Sequence, residues 1–178
     1  MRFYVNPASV PYRTLSGGQR MPCIGMGTFG SDKNTAEEIA GAVSKALDMG
    51  YRLFDCASVY CNEDKIGEVF GNLESKSIRR EEMFMMSKVW NDMHKKGEVL
   101  LSAAKSLKDL QLDYLDAYFV HWPFRNYHAP GCDGDARNPD SKPFDKNDFM
   151  ETWRQMERLY DMGLVKNLGM SNMTVKKR

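Results

Sequence analysis

Gly50-Tyr51-Arg52-Leu53-Phe54-Asp55-Cys56-Ala57-Ser58-Val59-Tyr60 is the stretch around which the chain is organised. Glycine is the usual residue just past a helix end, because it takes positive φ without a side-chain clash. Leu53-Phe54 then reads as a strand too short to cross a large sheet but long enough for a barrel stave. An aspartate where such a strand ends is costly near a core unless something pairs it. Taken alone, the stretch reads more simply as a turn aspartate and a surface tyrosine. The same event, an apolar strand running into a polar residue, recurs along the chain, and that recurrence gives it weight.

Upstream, Ser16-Gly17-Gly18 forms a turn between short extended segments in residues 1–22, consistent with a hairpin. Cys23-Ile24-Gly25-Met26-Gly27-Thr28 is a brief strand ending in small residues. Thr35 and Glu38 make a capping box, and Ile39, Val43 and Ala46-Leu47 fall on one helical face that Gly50 ends. Downstream, Ile66, Val69-Phe70 and Leu73 mark a second helix, and Met83–Ser87 a strand ending in Lys88. Leu100, Ala103-Ala104, Leu107 and Leu110 stripe a third helix, and Ala117–Val120 is a strand ending in His121. Residues 123–147 are rich in proline, glycine and aspartate without apolar period, and a loop this long in a compact domain is usually functional. Phe149, Trp153, Met156 and Tyr160 mark a fourth helix stopped by Gly163, and Leu168-Gly169-Met170 runs into Ser171-Asn172. Strand and helix alternate, so the strands are expected to be parallel and joined by helical crossovers.

The 178 residues suffice for one domain with a core, taken here as a single unit over 1–178. With 25 Lys and Arg against 24 Asp and Glu, the charge balance argues against nonspecific nucleic-acid or anionic-membrane binding. No apolar run approaches bilayer-spanning length, and Met1–Pro7 has no apolar signal region, which points to a cytoplasmic protein. The cysteines Cys23, Cys56, Cys61 and Cys132 form no C-x-x-C pair, so a zinc ribbon is not expected and reduced thiols are.

Two α/β architectures compete. Gly25-Met26-Gly27-Thr28-Phe29-Gly30 spells G-x-G-x-x-G, with Asp55 at a roughly Rossmann-like distance. In a true dinucleotide fingerprint the glycines form the strand-to-helix turn, whereas here the helix cap, Thr35, lies several residues beyond them. Position 64 is aspartate, so Tyr60 has no Tyr-x-x-x-Lys partner either. The better reading is a (β/α) barrel, in which site residues come from the C-terminal ends of several strands. The chain offers Thr28, Asp55, Lys88, His121 and Ser171-Asn172, one polar group or pair per strand end. Each alone has an ordinary explanation: Lys88 reaching solvent, His121 hydrogen-bonded in a core, Ser171 or Asn172 capping a helix. All five at the same end of successive strands are harder to dismiss.

If Asp55, Tyr60, Lys88 and His121 converge, an ammonium beside a phenol favours the phenolate, and a carboxylate holds that ammonium in place. Such a cluster suits a tyrosine acid that protonates a developing alkoxide. The hydride in a carbonyl reduction must come from a cofactor, most simply a nicotinamide. Phe29, Trp90 and Trp122, beside the polar strand ends, are placed to wall an apolar carbonyl pocket, or simply to pack between strand tips. The segments GYRLFDCASVYCNEDKIG, MSKVW, LDYLDAYFVHWP and GLVKNLGMSN resemble those of the aldo-keto reductases in order and spacing, and the likeness runs from about Leu15 to the C-terminus. That resemblance implies a (β/α)8 TIM barrel and an NADPH-dependent reduction of aldehydes or ketones. It implies a catalytic tetrad of Asp55, Tyr60, Lys88 and His121 with Tyr60 as general acid. Ser171 and Asn172 match binders of the nicotinamide carboxamide, Thr28 and Asp55 sit beside its ribose, and Phe29, Trp90 and Trp122 line the substrate pocket. Leu53-Phe54 stands where family members often have a histidine before the apolar residue.

Length is the larger departure. A whole barrel has eight strands and typically about 250 residues, and five strands and four helices are expected here. The alternative is therefore a catalytically inactive, truncated barrel that acts by self-association or through a partner at its open sheet edges.

Overall fold

The computed structural model describes residues 4–30, 32–125, 139 and 141–175. An antiparallel hairpin, β1 (Tyr12–Thr14) and β2 (Arg20–Pro22), precedes a five-stranded parallel sheet. The sheet runs in sequence order: β3 (Met26–Gly27), β4 (Leu53–Asp55), β5 (Phe84–Val89), β6 (Ala117–Val120) and β7 (Leu168–Met170). Four helices connect successive strands: α1 (Ala36–Met49), α2 (Glu63–Phe70), α3 (Glu98–Leu110) and α4 (Lys146–Asp161). Consecutive parallel strands joined by helices make this part of a (β/α) barrel, as expected.

The helices form where the sequence carries both caps and stripes. At the start of α1, Glu38 N–H donates to Thr35 Oγ1 at 3.2 Å and Thr35 N–H to Glu38 Oε2 at 2.8 Å. Its buried face is Ile39, Ala40, Val43, Ala46 and Leu47, and Gly50 ends it at φ +103°. Only glycine fits there, because a Cβ would stand 2.0 Å from the Val5 carbonyl oxygen.

Period-two alternation divides each strand between two cores. Phe54, Met85 and Tyr118 face the helices and join the main cluster with Val43, Leu47, Ile66 and Leu110. Leu53, Phe84 and Ala117 face the concave side, where Leu15 and Met21 of the hairpin pack on them. The hairpin therefore floors the concave side at the N-terminal ends of the strands. Residues two and four positions on along the same faces point into the concavity above that floor. They are Asp55 on β4, Lys88 on β5 and His121 just past β6.

Several boundaries differ from the sequence reading: the strand expected over Cys23–Thr28 is only Met26–Gly27, and β5 begins at Phe84 rather than Met83. Lys88 lies within β5 rather than just beyond it, because the ladder with β6 continues through Lys88↔Phe119 and Val89↔Val120. Leu73 is not on α2, which stops at Phe70, but in a separate 3-10 turn, Leu73–Lys76. Most of the expected loop 123–147, namely residues 126–138 and 140, lies outside the described residues, as does Cys132, and α4 already begins at Lys146.

Candidate active site

The C-terminal ends of the strands bring the expected residues together. Lys88 is 7% exposed, and its ammonium donates to Asp55 Oδ1 at 2.5 Å and to the Cys56 carbonyl at 2.8 Å. The Tyr60 phenol oxygen lies 3.5 Å from the same nitrogen, and the Tyr60 ring centroid 5.1 Å from it. A buried lysine needs such partners to remain charged, and here a carboxylate and a carbonyl supply them.

Aromatic rings surround the phenol. Phe29 lies tilted against Tyr60 at 5.2 Å between centroids, His121 edge-on to it at 5.9 Å, and Trp90 edge-on to His121 at 4.9 Å. Trp90 is 5% exposed, whereas Phe29 is 59% exposed on the open side. Trp122 follows His121 and is half-buried.

Backbone contacts hold the segment that carries Tyr60. Cys56 N–H donates to the Met86 carbonyl at 2.9 Å, and Ser58 Oγ to the Lys88 carbonyl at 3.1 Å. Asn62 Nδ2 donates to the Thr28 carbonyl at 2.9 Å. Thr28 itself is fully buried, and both its N–H and its hydroxyl donate to the Asp55 carbonyl, at 3.1 and 3.2 Å. The segment is thus tied to β5 on one side and to the end of β3 on the other. Cys56, wholly buried beneath it, has its thiol pushed up to about 12 by desolvation, reinforced by the nearby Glu63 carboxylate. It is an inert packing group.

At the far strand, Ser171 N–H donates to the Val120 carbonyl at 2.9 Å, extending the β6–β7 ladder by one residue. Asn172, at φ +55°, donates from Nδ2 to the His121 carbonyl at 2.8 Å and to Ser171 Oγ at 3.2 Å. Every expected site residue therefore stands at one end of the sheet. Sequence reasoning missed Ser58 and Asn62. An asparagine before a helix reads as an N-cap, yet Asn62 makes no side-chain cap bond and serves Thr28 instead.

The pattern of the Aldo/keto reductase family matches residues 23–177. The chain belongs to that family. Aldo-keto reductase family 1 member A1 of Xenopus tropicalis is 42% identical over 167 residues, covering 92% of this chain and 50% of that protein. Aldo-keto reductase family 1 member A1-A of Danio rerio is 42% identical over 166 residues, with the same coverage of 92% and 50%. Among solved structures, Bombyx mori aldo-keto reductase in complex with NADP matches at TM-score 0.79 and 32% identity. That match covers 94% of this chain and 52% of the silkworm chain. The aldose reductase of Schistosoma japonicum matches at TM-score 0.79 and 36% identity, over 94% and 55% of the two chains. The chain spans about half the length of the curated aldo-keto reductases it matches. Among the described residues no helix is long and apolar enough to cross a membrane.

Proposed function

We propose that the chain carries the proton-transfer half of an NADPH-dependent reduction of aldehydes or ketones to alcohols, with Tyr60 as the general acid. The observation that carries the reading is the phenol oxygen of Tyr60 lying 3.5 Å from an ammonium that Asp55 anchors at 2.5 Å. NADP in the silkworm relative favours the cofactor, and the membership of the family favours the reaction class. When bound, the reduced nicotinamide supplies the hydride that goes to the carbonyl carbon.

The donor set at β7 suits the nicotinamide's carboxamide. That group presents one carbonyl acceptor and one amide donor. Ser171 offers a hydroxyl, and Asn172, its Nδ2 spent on the His121 carbonyl, offers its side-chain carbonyl oxygen at the surface. Thr28 and Asp55, joined through the Asp55 carbonyl, stand at the ribose side.

The substrate carbonyl oxygen docks beside the Tyr60 hydroxyl and His121, with Phe29, Trp90 and Trp122 walling the carbon side. As negative charge develops on that oxygen, the Tyr60 hydroxyl donates its proton to it, completing the alcohol. The Lys88 ammonium stabilises the phenolate left behind, and Asp55 keeps the ammonium oriented toward it. His121, held between Trp90 and Tyr60, orients the carbonyl oxygen.

The test is consumption of NADPH with an aromatic aldehyde by this chain beside its Tyr60→Phe variant. Turnover that the variant loses supports the reading. Equal turnover in both, or none in the folded chain, contradicts it.

A further inference from the structure

Helix α4 carries Thr152 and Gln155 one turn apart on its buried face, at 1% and 6% exposure. Both side chains reach one segment, residues 90–97, which joins β5 to α3, while also sharing their donors with α4's own carbonyls: Thr152 Oγ1 with Asp148 at 3.2 Å and Gln155 Nε2 with Glu151 at 3.5 Å. Gln155 holds it from two sides: Gly97 N–H donates to Gln155 Oε1 at 2.7 Å, and Gln155 Nε2 donates to the Lys95 carbonyl at 3.2 Å. Thr152 Oγ1 donates to the His94 carbonyl at 3.3 Å. Within the segment, Met93 N–H closes a turn onto the Trp90 carbonyl at 3.2 Å, and Glu98 N–H closes another onto the Lys95 carbonyl at 3.0 Å. Trp90, at the head of the first turn, is the ring that stands edge-on to His121.

The two Gln155 bonds are not equivalent. The Lys95 carbonyl has a second donor in Glu98 N–H, whereas Gly97 N–H has the Gln155 carboxamide as its partner. Gly97 itself is exposed, so losing Gln155 leaves its N–H to water and removes the side-chain tie that holds the loop to α4.

We propose that Gln155 is a positioning residue. Its carboxamide ties the β5–α3 loop to α4 and thereby sets Trp90 against His121. The consequence for catalysis rests on the reading of Trp90 and His121 as pocket and proton-transfer groups, but the contact itself is measurable without cofactor or turnover. Failure of the assay above and failure of this proposal are thus distinguishable.

A protonated imidazole against an indole quenches its fluorescence. The chain has three tryptophans, so Trp122→Phe with Trp153→Phe leaves Trp90 as the sole emitter. In this reference, emission is compared between about pH 8 and about pH 5, the range in which histidines ordinarily change charge, and is expected to be lower at the acid end. With His121→Phe added, it is expected to stay flat. Desolvation holds the nearby His94 down at about 4, so His94 stays neutral over that window. Gln155→Met fills the same space without hydrogen bonds and is expected to shrink the fall to near the His121→Phe level. Gln155→Glu keeps an acceptor for Gly97 but sets a carboxylate oxygen against the Lys95 carbonyl, and is expected to retain only part of it, between the Gln155→Met and reference levels. An undiminished fall in Gln155→Met, or a flat profile in the reference, overturns the proposal. Should Gln155→Met fail to fold, amide exchange at Gly97 in the unsubstituted chain decides. Slow exchange is expected, and exchange at the rate of an exposed amide overturns the proposal.

Discussion

Lys88 meets Asp55 although the two are not level in the sheet. The β4–β5 register sets Asp55 beside Met86, two residues before Lys88 on the same face. The lysine side chain therefore leans back along β5, and its ammonium reaches Asp55 Oδ1 at 2.5 Å and the Cys56 carbonyl at 2.8 Å. Two acceptors on β4 and its following loop fix a charge carried by β5, and the phenol of Tyr60 stands beside that charge.

If this ammonium is what stabilises the departing phenolate, Lys88→Met should lower kcat by about 10²–10⁴, the usual range for an acid–base group. Asp55→Asn should cost less, because the Cys56 carbonyl still holds Lys88. Steady-state kinetics of the two variants check the order, and an Asp55→Asn loss exceeding that of Lys88→Met is the contrary result.

His94 makes the fold acid-sensitive. Its imidazole is 3% exposed, and desolvation first, then the Arg125 charge, lower its pKa to about 4. The unfolded chain, with an ordinary histidine, binds that proton at higher pH, so stability is lost as pH falls from about 6.5 toward about 4. His94→Phe should reduce this loss by on the order of 1–3 kcal/mol near the lower end. Urea unfolding of both proteins across that range measures it.

Glu63 acts in the opposite direction. Its carboxylate accepts from Ser87 Oγ at 2.5 Å and Ser106 Oγ at 2.7 Å, and burial raises its pKa above the usual carboxylate value despite these bonds. A raised folded pKa means that stability present at low pH is lost as pH climbs through that value. Glu63→Gln removes the charge and keeps the shape. Its stability should vary less with pH on the acid side of neutrality, as denaturant titrations at several pH values would record.

Gly67 sits where α2 crosses α3, and a Cβ there would lie 1.8 Å from the Asp109 carbonyl oxygen and 2.9 Å from Leu110 Cα. Backbone cannot swing aside as a side chain does. Gly67→Ala should therefore destabilise the chain by about 1–3 kcal/mol, despite alanine's better helix propensity. Thermal melting of the variant provides the check.

The barrel plan was legible because its helices announce themselves through caps and stripes, as Thr35 with Glu38 and the Ile39–Val43–Leu47 face show. The strand-end residues were legible through their recurrence after short apolar runs. What sequence hides is which partner a polar side chain takes. Gln155, between Arg154 and Met156, carries no sequence signal for a partner, and in the structure it clamps a loop. Two glycines of the Gly25–Gly30 motif sit against packed side chains: a Cβ on Gly25 would stand 2.1 Å from Leu53 Cδ2 and one on Gly30 2.6 Å from Ile39 Cδ1, whereas Gly27 has open space. Residues Met26 and Gly27 form β3 itself, beside β4, and not a strand-to-helix turn. Distances across strands, invisible in one dimension, decide both cases.

The most direct test of the central claim is isotopic. NADPH deuterated at the transferable position is incubated with the chain and an aromatic aldehyde, and the alcohol is analysed by mass spectrometry. The account predicts one deuterium on the carbinol carbon, lost together with product formation in Tyr60→Phe. Alcohol without deuterium, or deuterated alcohol formed equally well by Tyr60→Phe, would contradict it.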